Sequence, residues 1–129
     1  MDVTDWVEDG VTPHPTGGYV SVEVRSDQTV YRDADGHRHR VDGPAVVTST
    51  GKTRWFRHGI LHRLDGPAYA NPGAVAKWFV DGRRHRLDGP AVVHSQGHRQ
   101  WWLHDRRVSE AEHAEIVARW QETGEAPHT

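Results

Sequence analysis

A chain of 129 residues with 26% charged and 35% hydrophobic side chains has the size and composition of one globular domain, and no stretch approaches the roughly 20 apolar residues of a membrane-spanning helix. The absence of cysteine excludes disulfide frameworks, thiolate metal sites and cysteine nucleophiles, and agrees with a reducing compartment. The formal net charge of −2 is unevenly spread: residues 1–30 hold six acids and one Arg (−5), residues 31–107 fourteen Lys/Arg and seven Asp (+7), and residues 108–129 five Glu and one Arg (−4). The basic middle is either an anion-binding surface or a partner for the acidic ends folded back on it.

In chain order, residues 1–18 form an acidic segment without the apolar core of an export signal, so a cytoplasmic location is expected. "YVSVEVR" (Tyr19 to Arg25) alternates with period two and pairs with "QTVYR" as a first hairpin. From there the chain repeats every 23 residues: "HRVDGPA" at His39 returns as "HRLDGPA" at His62 and His85. Gly36, Gly59 and Gly82 each stand three residues before that His, Trp55 and Trp78 each stand four before their Gly, and Trp101 continues the phase. "YRDADG" before the first copy is a degraded "WFRHG". Each unit carries a β-branched run, a turn, an aromatic run and a Gly turn, which is a β-hairpin. In Asp-Gly-Pro the Asp starts the turn, Gly tolerates unusual φ and Pro sets φ where the next strand begins. The array spans residues 19–107 as about eight antiparallel strands. Ser109 and Glu112 have capping-box spacing, Ile116, Val117 and Trp120 share one helical face, and Gly124 is a stop. The expectation is a helix over residues 109–122 that caps the array, then a flexible tail at 123–129. The whole is one mainly β domain, a single-layer antiparallel sheet of stacked hairpins with a C-terminal capping helix.

"WFRHGILHRLDGPA" and "WFVDGRRHRLDGPA" resemble MORN-type repeats, in the W-x-x-x-G-x-x-H-R-x-D-G-P-A variant of bacterial, phage and large DNA virus proteins. The resemblance covers residues 31–105 and implies an elongated single-layer sheet. The chain departs from the best-known units of that family in having fewer glycines and in placing His-Arg before Asp-Gly-Pro. Function is implied less specifically: family members are mostly non-catalytic protein-binding scaffolds, with lipid binding claimed for some.

Strand alternation assigns the aromatic pairs to two faces. One carries Trp55, Trp78 and Trp101 with Val80 and Leu103, a packing face on which Ile116 and Trp120 of the helix would sit. The other carries Phe56, Phe79 and Trp102, flanked by Arg54, Lys77 and Gln100 on one side and by His58, Asp81 and His104 on the other. Rings edged by cations suit base stacking and phosphate contact, so Arg54, Phe56, His58, Lys77, Phe79, Trp102 and His104 are the candidate ligand face. Equivalent residues two strands apart are separated by about 10 Å, which fits an extended partner better than one small ring. The same face also reads as a solvated sheet surface or a dimer seam. The triplicated motif (His39, Arg40, Asp42; His62, Arg63, Asp65; His85, Arg86, Asp88) reads first as the joint of the array, with each Arg bonded to turn carbonyls or to Asp, and second as a ladder of anion donors.

No enzyme is expected. "HRLD" shares letters with the protein-kinase catalytic loop, but the Gly-rich strand and Asp-Phe-Gly are missing, and a thrice-repeated site is unlike an asymmetric catalytic one. His37 and His39 could share a strand face, but no third ligand stands at a recognised spacing, so no metal and no cofactor are assigned. Glu23, Asp27, Tyr31 and His37 lie outside the regular phase and could build a site of their own. The expected function is a non-catalytic module that binds a protein partner. The alternative is a phosphate-bearing ligand, either a nucleotide signal or single-stranded nucleic acid, sequestered by a phage antagonist of host defence. Open sheet edges make a homodimer a fair expectation.

Overall fold

The computed structural model describes residues 17–124; the greater part of the acidic N-terminal segment and of the C-terminal tail lies outside them. The described residues are mainly β, with thirteen strands and one C-terminal helix. They divide after Ile60 into two compact units. The first contains β1 (Ser21–Val24), β2 (Gln28–Arg32), β3 (Val46–Thr48), β4 (Thr53–Arg54) and β5 (Phe56–Arg57), and β6 (Ile60–Leu61) marks the division. The second contains β7 (Tyr69–Asn71), β8 (Val75–Lys77), β9 (Phe79–Val80), β10 (Arg83–Arg84), β11 (Val92–His94), β12 (Arg99–Leu103), β13 (Arg106–Val108) and α1 (Glu110–Thr123).

Pairing in both units is antiparallel; in the second, β8 pairs with β11, while β9 and β10 pair with each other. In the first, Glu23 lies opposite Val30, Thr29 opposite Val47 and Val46 opposite Arg54. In the second, Ala70 lies opposite Ala76, Val93 opposite Ala76 on its other side, and Val92 opposite Gln100. Val30, Val46, Val92, Val80 and Leu103 are buried, and Ala45, Ala68 and Ala91, the last letters of the three motif copies, are 0% exposed. A larger side chain at any of these three fully buried positions would have to displace close-packed neighbours, which agrees with Ala in all three copies.

Thirteen strands replace the expected eight: the aromatic strand of two repeats is interrupted at its tryptophan, which adds two, and the residues after each two-residue turn form the short strands β6, β10 and β13, which add three. Trp55 separates β4 from β5, and Trp78 separates β8 from β9. At Trp78 the backbone passes from one partner to another: its N–H bonds Ala91 O (2.7 Å) and its carbonyl accepts from His85 N (3.2 Å). Residues 79–80 then pair with β10 alone. In the last repeat the corresponding strand, β12, runs unbroken and pairs with β13 through Trp101–Val108 and Trp102–Arg107.

The strands downstream of each tryptophan end in two-residue turns, His58-Gly59, Asp81-Gly82 and His104-Asp105, in which every residue has φ between 47° and 84°. Two consecutive left-handed residues make a type I′ hairpin turn, whose twist matches that of the flanking strands. The helix is as expected from its cap: Ser109 Oγ accepts from Glu112 N (3.0 Å), Glu112 Oε1 accepts from Ser109 N (2.9 Å), and left-handed Gly124 ends it. No helix among the described residues is long and apolar enough to cross a membrane.

Candidate functional site

The His, Arg, Asp and Gly of the repeated motif each have a structural use. The Arg folds back on its own turn: Nε donates to the Asp two residues on (Arg40–Asp42 3.0 Å, Arg63–Asp65 2.9 Å, Arg86–Asp88 2.9 Å), and Nη1 donates to the following Pro carbonyl (3.4, 3.2 and 3.0 Å). The Gly makes room for that guanidinium, since a Cβ on Gly43, Gly66 or Gly89 would stand 2.9, 2.6 or 2.9 Å from the Arg Cζ. The Arg also covers an aromatic ring of the preceding strand, Arg40 over Tyr31 at 4.0 Å and Arg86 over Trp78 at 3.9 Å. The three Asp are exposed, and the Arg beside Asp65 and Asp88 holds each carboxyl below its ordinary range.

The joint between hairpins belongs to the histidine. His39 Nδ1 accepts the N–H of His58 (2.8 Å), His62 Nδ1 that of Asp81 (3.0 Å) and His85 Nδ1 that of His104 (3.0 Å). Two further bonds recur beside it. The next turn residue donates to the carbonyl before the His (Gly59 to Arg38, Gly82 to Leu61, Asp105 to Arg84, each 2.8 Å), and the motif Arg N–H donates to Phe56, Phe79 or Trp102 O. The sequence had assigned the joint to Arg, and the structure divides the work: Arg closes its own turn, and His with the backbone locks that turn to the next. An accepting Nδ1 requires the neutral imidazole with its proton on Nε2. Burial pushes the His85 pKa down to about 4, with smaller contributions from His104 and His113, and burial also lowers that of His39.

The candidate ligand face is divided by the strand interruptions. Arg54 and Lys77 lie on β4 and β8, while Phe56 and Phe79 lie beyond the tryptophan on β5 and β9. Phe56 is buried, and Arg38 covers its ring at 4.4 Å; Trp102 is half-buried, with Arg84 over it at 3.6 Å and its Nε1 bonded to Gln100. These Arg, two positions before each motif Arg, are a second cation–π row that the sequence reading missed. Its signal was Arg38 and Arg84 standing 18 residues before an aromatic, with Leu61 at the middle copy. Lys77 lies 5.7 Å from the Tyr69 ring. His58 turns to Asp33, and His104 meets Trp120 edge-on at 5.9 Å.

That last contact differs from the expected seat of the helix on the tryptophan face. His104 has left-handed φ and leaves the strand alternation, so Trp120 reaches a residue assigned to the opposite face. A second anchor, buried His113, hydrogen-bonds through Nε2 with the Arg86 carbonyl (2.7 Å).

No known protein family, curated protein or solved structure matches the chain. In the second unit, exposed Arg107 lies directly opposite Trp102 across β12 and β13, and exposed Arg83 and Arg106, the strand neighbours of Arg84 and Arg107, lie opposite Val80 and Leu103. A cavity of about 460 Å³ lies between the motif turns, lined by Trp78, Val80 and His85 with the Arg63–Asp65 and Arg86–Asp88 pairs. In the first unit, Asp33, His39 and His58 bring ligand-type atoms within 4.8 Å of one another, as do Asp33, Asp35 and His37. Asp33 was also missed. It occupies the repeat position of Phe56, Phe79 and Trp102, three before the Gly, where a carboxylate breaks the pattern.

Proposed function

We propose that this chain is a non-catalytic repeat module, of MORN type, that binds an acidic segment of a partner protein through the arginine-clad end of the array. The observation that supports it most is Trp102 with Arg84 stacked on its ring at 3.6 Å and exposed Arg107 directly opposite it, with exposed Arg83 and Arg106 the next residues along their strands. Arg84 already takes one carboxylate at its edge, Nε donating to Asp105 Oδ1 (2.9 Å), so a partner's carboxylates fall to the exposed Arg107, Arg83 and Arg106; Arg and Trp are the residues that dominate protein interfaces. The Trp102 ring face, already covered by Arg84, is less suited to base stacking. The motif Arg and Asp bond to each other within each turn, and Arg84 is paired with Asp105, which leaves exposed Arg83, Arg106 and Arg107 as the recognition cations. Affinity capture from the native host with wild type and with an Arg83→Ala/Arg107→Ala variant tests the proposal. A partner retained by the wild type and lost by a variant of unchanged melting temperature is expected; identical captures would overturn it.

The cavity favours a second reading, a phosphate-bearing small ligand. Its volume of about 460 Å³ is in the range of small-molecule sites, and it presents an indole with two guanidinium groups. Asp65 and Asp88 line it too and weaken its attraction for anions, which places this reading second. A thermal-shift series with mononucleotides, cyclic oligonucleotides and polyphosphate decides it, since a ligand at 100 times its Kd adds about 2.7 kcal/mol.

A further inference from the structure

We propose that the cavity between the second and third motif turns takes an uncharged planar heterocycle of nucleobase type, held by a hydrogen bond from His85 Nε2. The inference rests on the cavity reading above and names what enters: the base of a nucleotide, with its phosphate left outside. His85 lines the cavity and is 3% exposed. Its Nδ1 accepts the His104 N–H (3.0 Å), so its proton sits on Nε2. Among the described residues, that Nε2 is the one buried side-chain polar atom without a hydrogen-bond partner. A buried donor left unpaired is destabilising, and an acceptor brought by a ligand removes the deficit.

The donor is also held in place. The His104 N–H fixes one ring nitrogen, and the His104 ring lies against the imidazole at 4.4 Å, so the remaining N–H has a set direction. Burial holds the His85 pKa at about 4, so near pH 7 the ring offers a hydrogen bond and no charge. The walls suit a flat, neutral body. Trp78, Val80, Leu64 and Leu87 give apolar surface, and the guanidinium groups of Arg63 and Arg86 are offset by Asp65 and Asp88. Oδ1 of each Asp accepts from its own Arg Nε (2.9 Å), and the two side chains are 81% and 84% exposed, which presents Oδ2 to amino groups of a ligand. A nucleobase carries both complements in one plane: a carbonyl or ring nitrogen for the imidazole, and N–H groups for a carboxylate. A phosphate has only acceptors on its outer oxygens and would face both carboxylates.

The repeat supplies an internal comparison. One period earlier the position of Val80 holds Arg57, a cation in place of an apolar wall, and two periods earlier the position of Trp78 holds Arg32. One period later the position of His85 holds Val108, which has no side-chain donor. The phase that ends at Asp88 is therefore the one that joins an indole, an apolar wall and an imidazole.

The test uses the full chain, with adenosine, guanosine, cytidine and uridine as probes and ribose 5-phosphate as the phosphate-only control, read by NMR of the imidazole nitrogens. At least one nucleoside is expected to bind with a Kd below about 1 mM, to move the His85 Nε2 resonance, and to bind equally at low and physiological salt. His85→Asn keeps an acceptor for the His104 N–H but has no group at the Nε2 position, and Asp88→Asn keeps the acceptor for Arg86. Each is expected to weaken the nucleoside about tenfold, whereas His98→Ala, outside the cavity lining, should not. The wild-type Nε2 shift and Asp88→Asn keep the test decisive if His85→Asn is too unstable. Ribose 5-phosphate bound with every nucleoside refused overturns the assignment and leaves the cavity an anion site. Refusal of both overturns the cavity reading as well, and nucleoside affinity unchanged in a folded His85→Asn overturns the proposal alone.

Discussion

His85 Nδ1 accepts the backbone N–H of His104 at 3.0 Å, and the same bond, 19 residues long in sequence, joins His39 to His58 and His62 to Asp81. A turn that places two residues in the left-handed region has N–H groups that its own hairpin does not satisfy. The preceding repeat supplies an imidazole for the first and a carbonyl for the second. Nearest-neighbour bonds of this kind are what hold a repeat protein together, and they explain why His recurs in phase with the turn it serves.

Replacing His85 by Ala removes the acceptor and leaves the His104 N–H without its partner. The expected loss is about 1–3 kcal/mol in chemical denaturation, with His85→Asn recovering part of it through a side-chain oxygen. A His85→Ala protein as stable as wild type would contradict the joint.

The same imidazole makes stability depend on pH. With a folded pKa of about 4 against an ordinary value of 6.5, the unfolded chain takes up a proton between those limits that the folded chain refuses. Stability is therefore fully present above pH 6.5 and falls as pH drops toward 4, by roughly 3 kcal/mol for this group. Denaturation midpoints at pH 7 and pH 5 measure the slope, and His85→Asn should flatten it.

Gly89 and Arg86 should be coupled. A methyl group at Gly89 would meet the Arg86 Cζ at 2.9 Å and displace the guanidinium from Asp88, Pro90 O and Trp78. Gly89→Ala alone is expected to cost about 1–2 kcal/mol, and less in an Arg86→Ala background, where nothing remains to displace. Additive effects in the double-mutant cycle would show that Gly89 serves the backbone instead.

If the arginine row around Trp102 carries recognition, partner binding should weaken steeply between low and physiological salt, chiefly through the on-rate. Trp102→Leu should keep charge attraction but remove the platform under Arg84, lowering affinity by about 1–2 kcal/mol. Surface plasmon resonance with the captured partner separates the two effects.

The repeat, its hairpins and the capped helix were legible because each rests on local chemistry. Period 23 with Gly and Asp-Gly-Pro places the turns, β-branched and aromatic runs fill the strands, and Ser109 with Glu112 starts the helix whatever lies around it. Alternation failed at Trp55 and Trp78. A strand's faces can be assigned from sequence only while the strand is continuous, and whether the backbone changes partners at a tryptophan depends on hydrogen bonds to Ala91 and His85, far along the chain.

What the sequence by itself determined was therefore the unit and its punctuation: where hairpins begin, that Arg and Asp recur beside each turn, and that an acidic helix follows a basic array. Tertiary structure alone decided the partners. It gave the joint to His, laid Arg38 and Arg84 over rings 18 residues ahead, seated Trp120 on His104, and drew Asp33, His37 and His58 together. The reason is physical: propensity and capping act within a few residues, whereas an imidazole's acceptor, a guanidinium's ring and a carboxylate's neighbours are chosen by whatever the fold brings within about 3 to 4 Å.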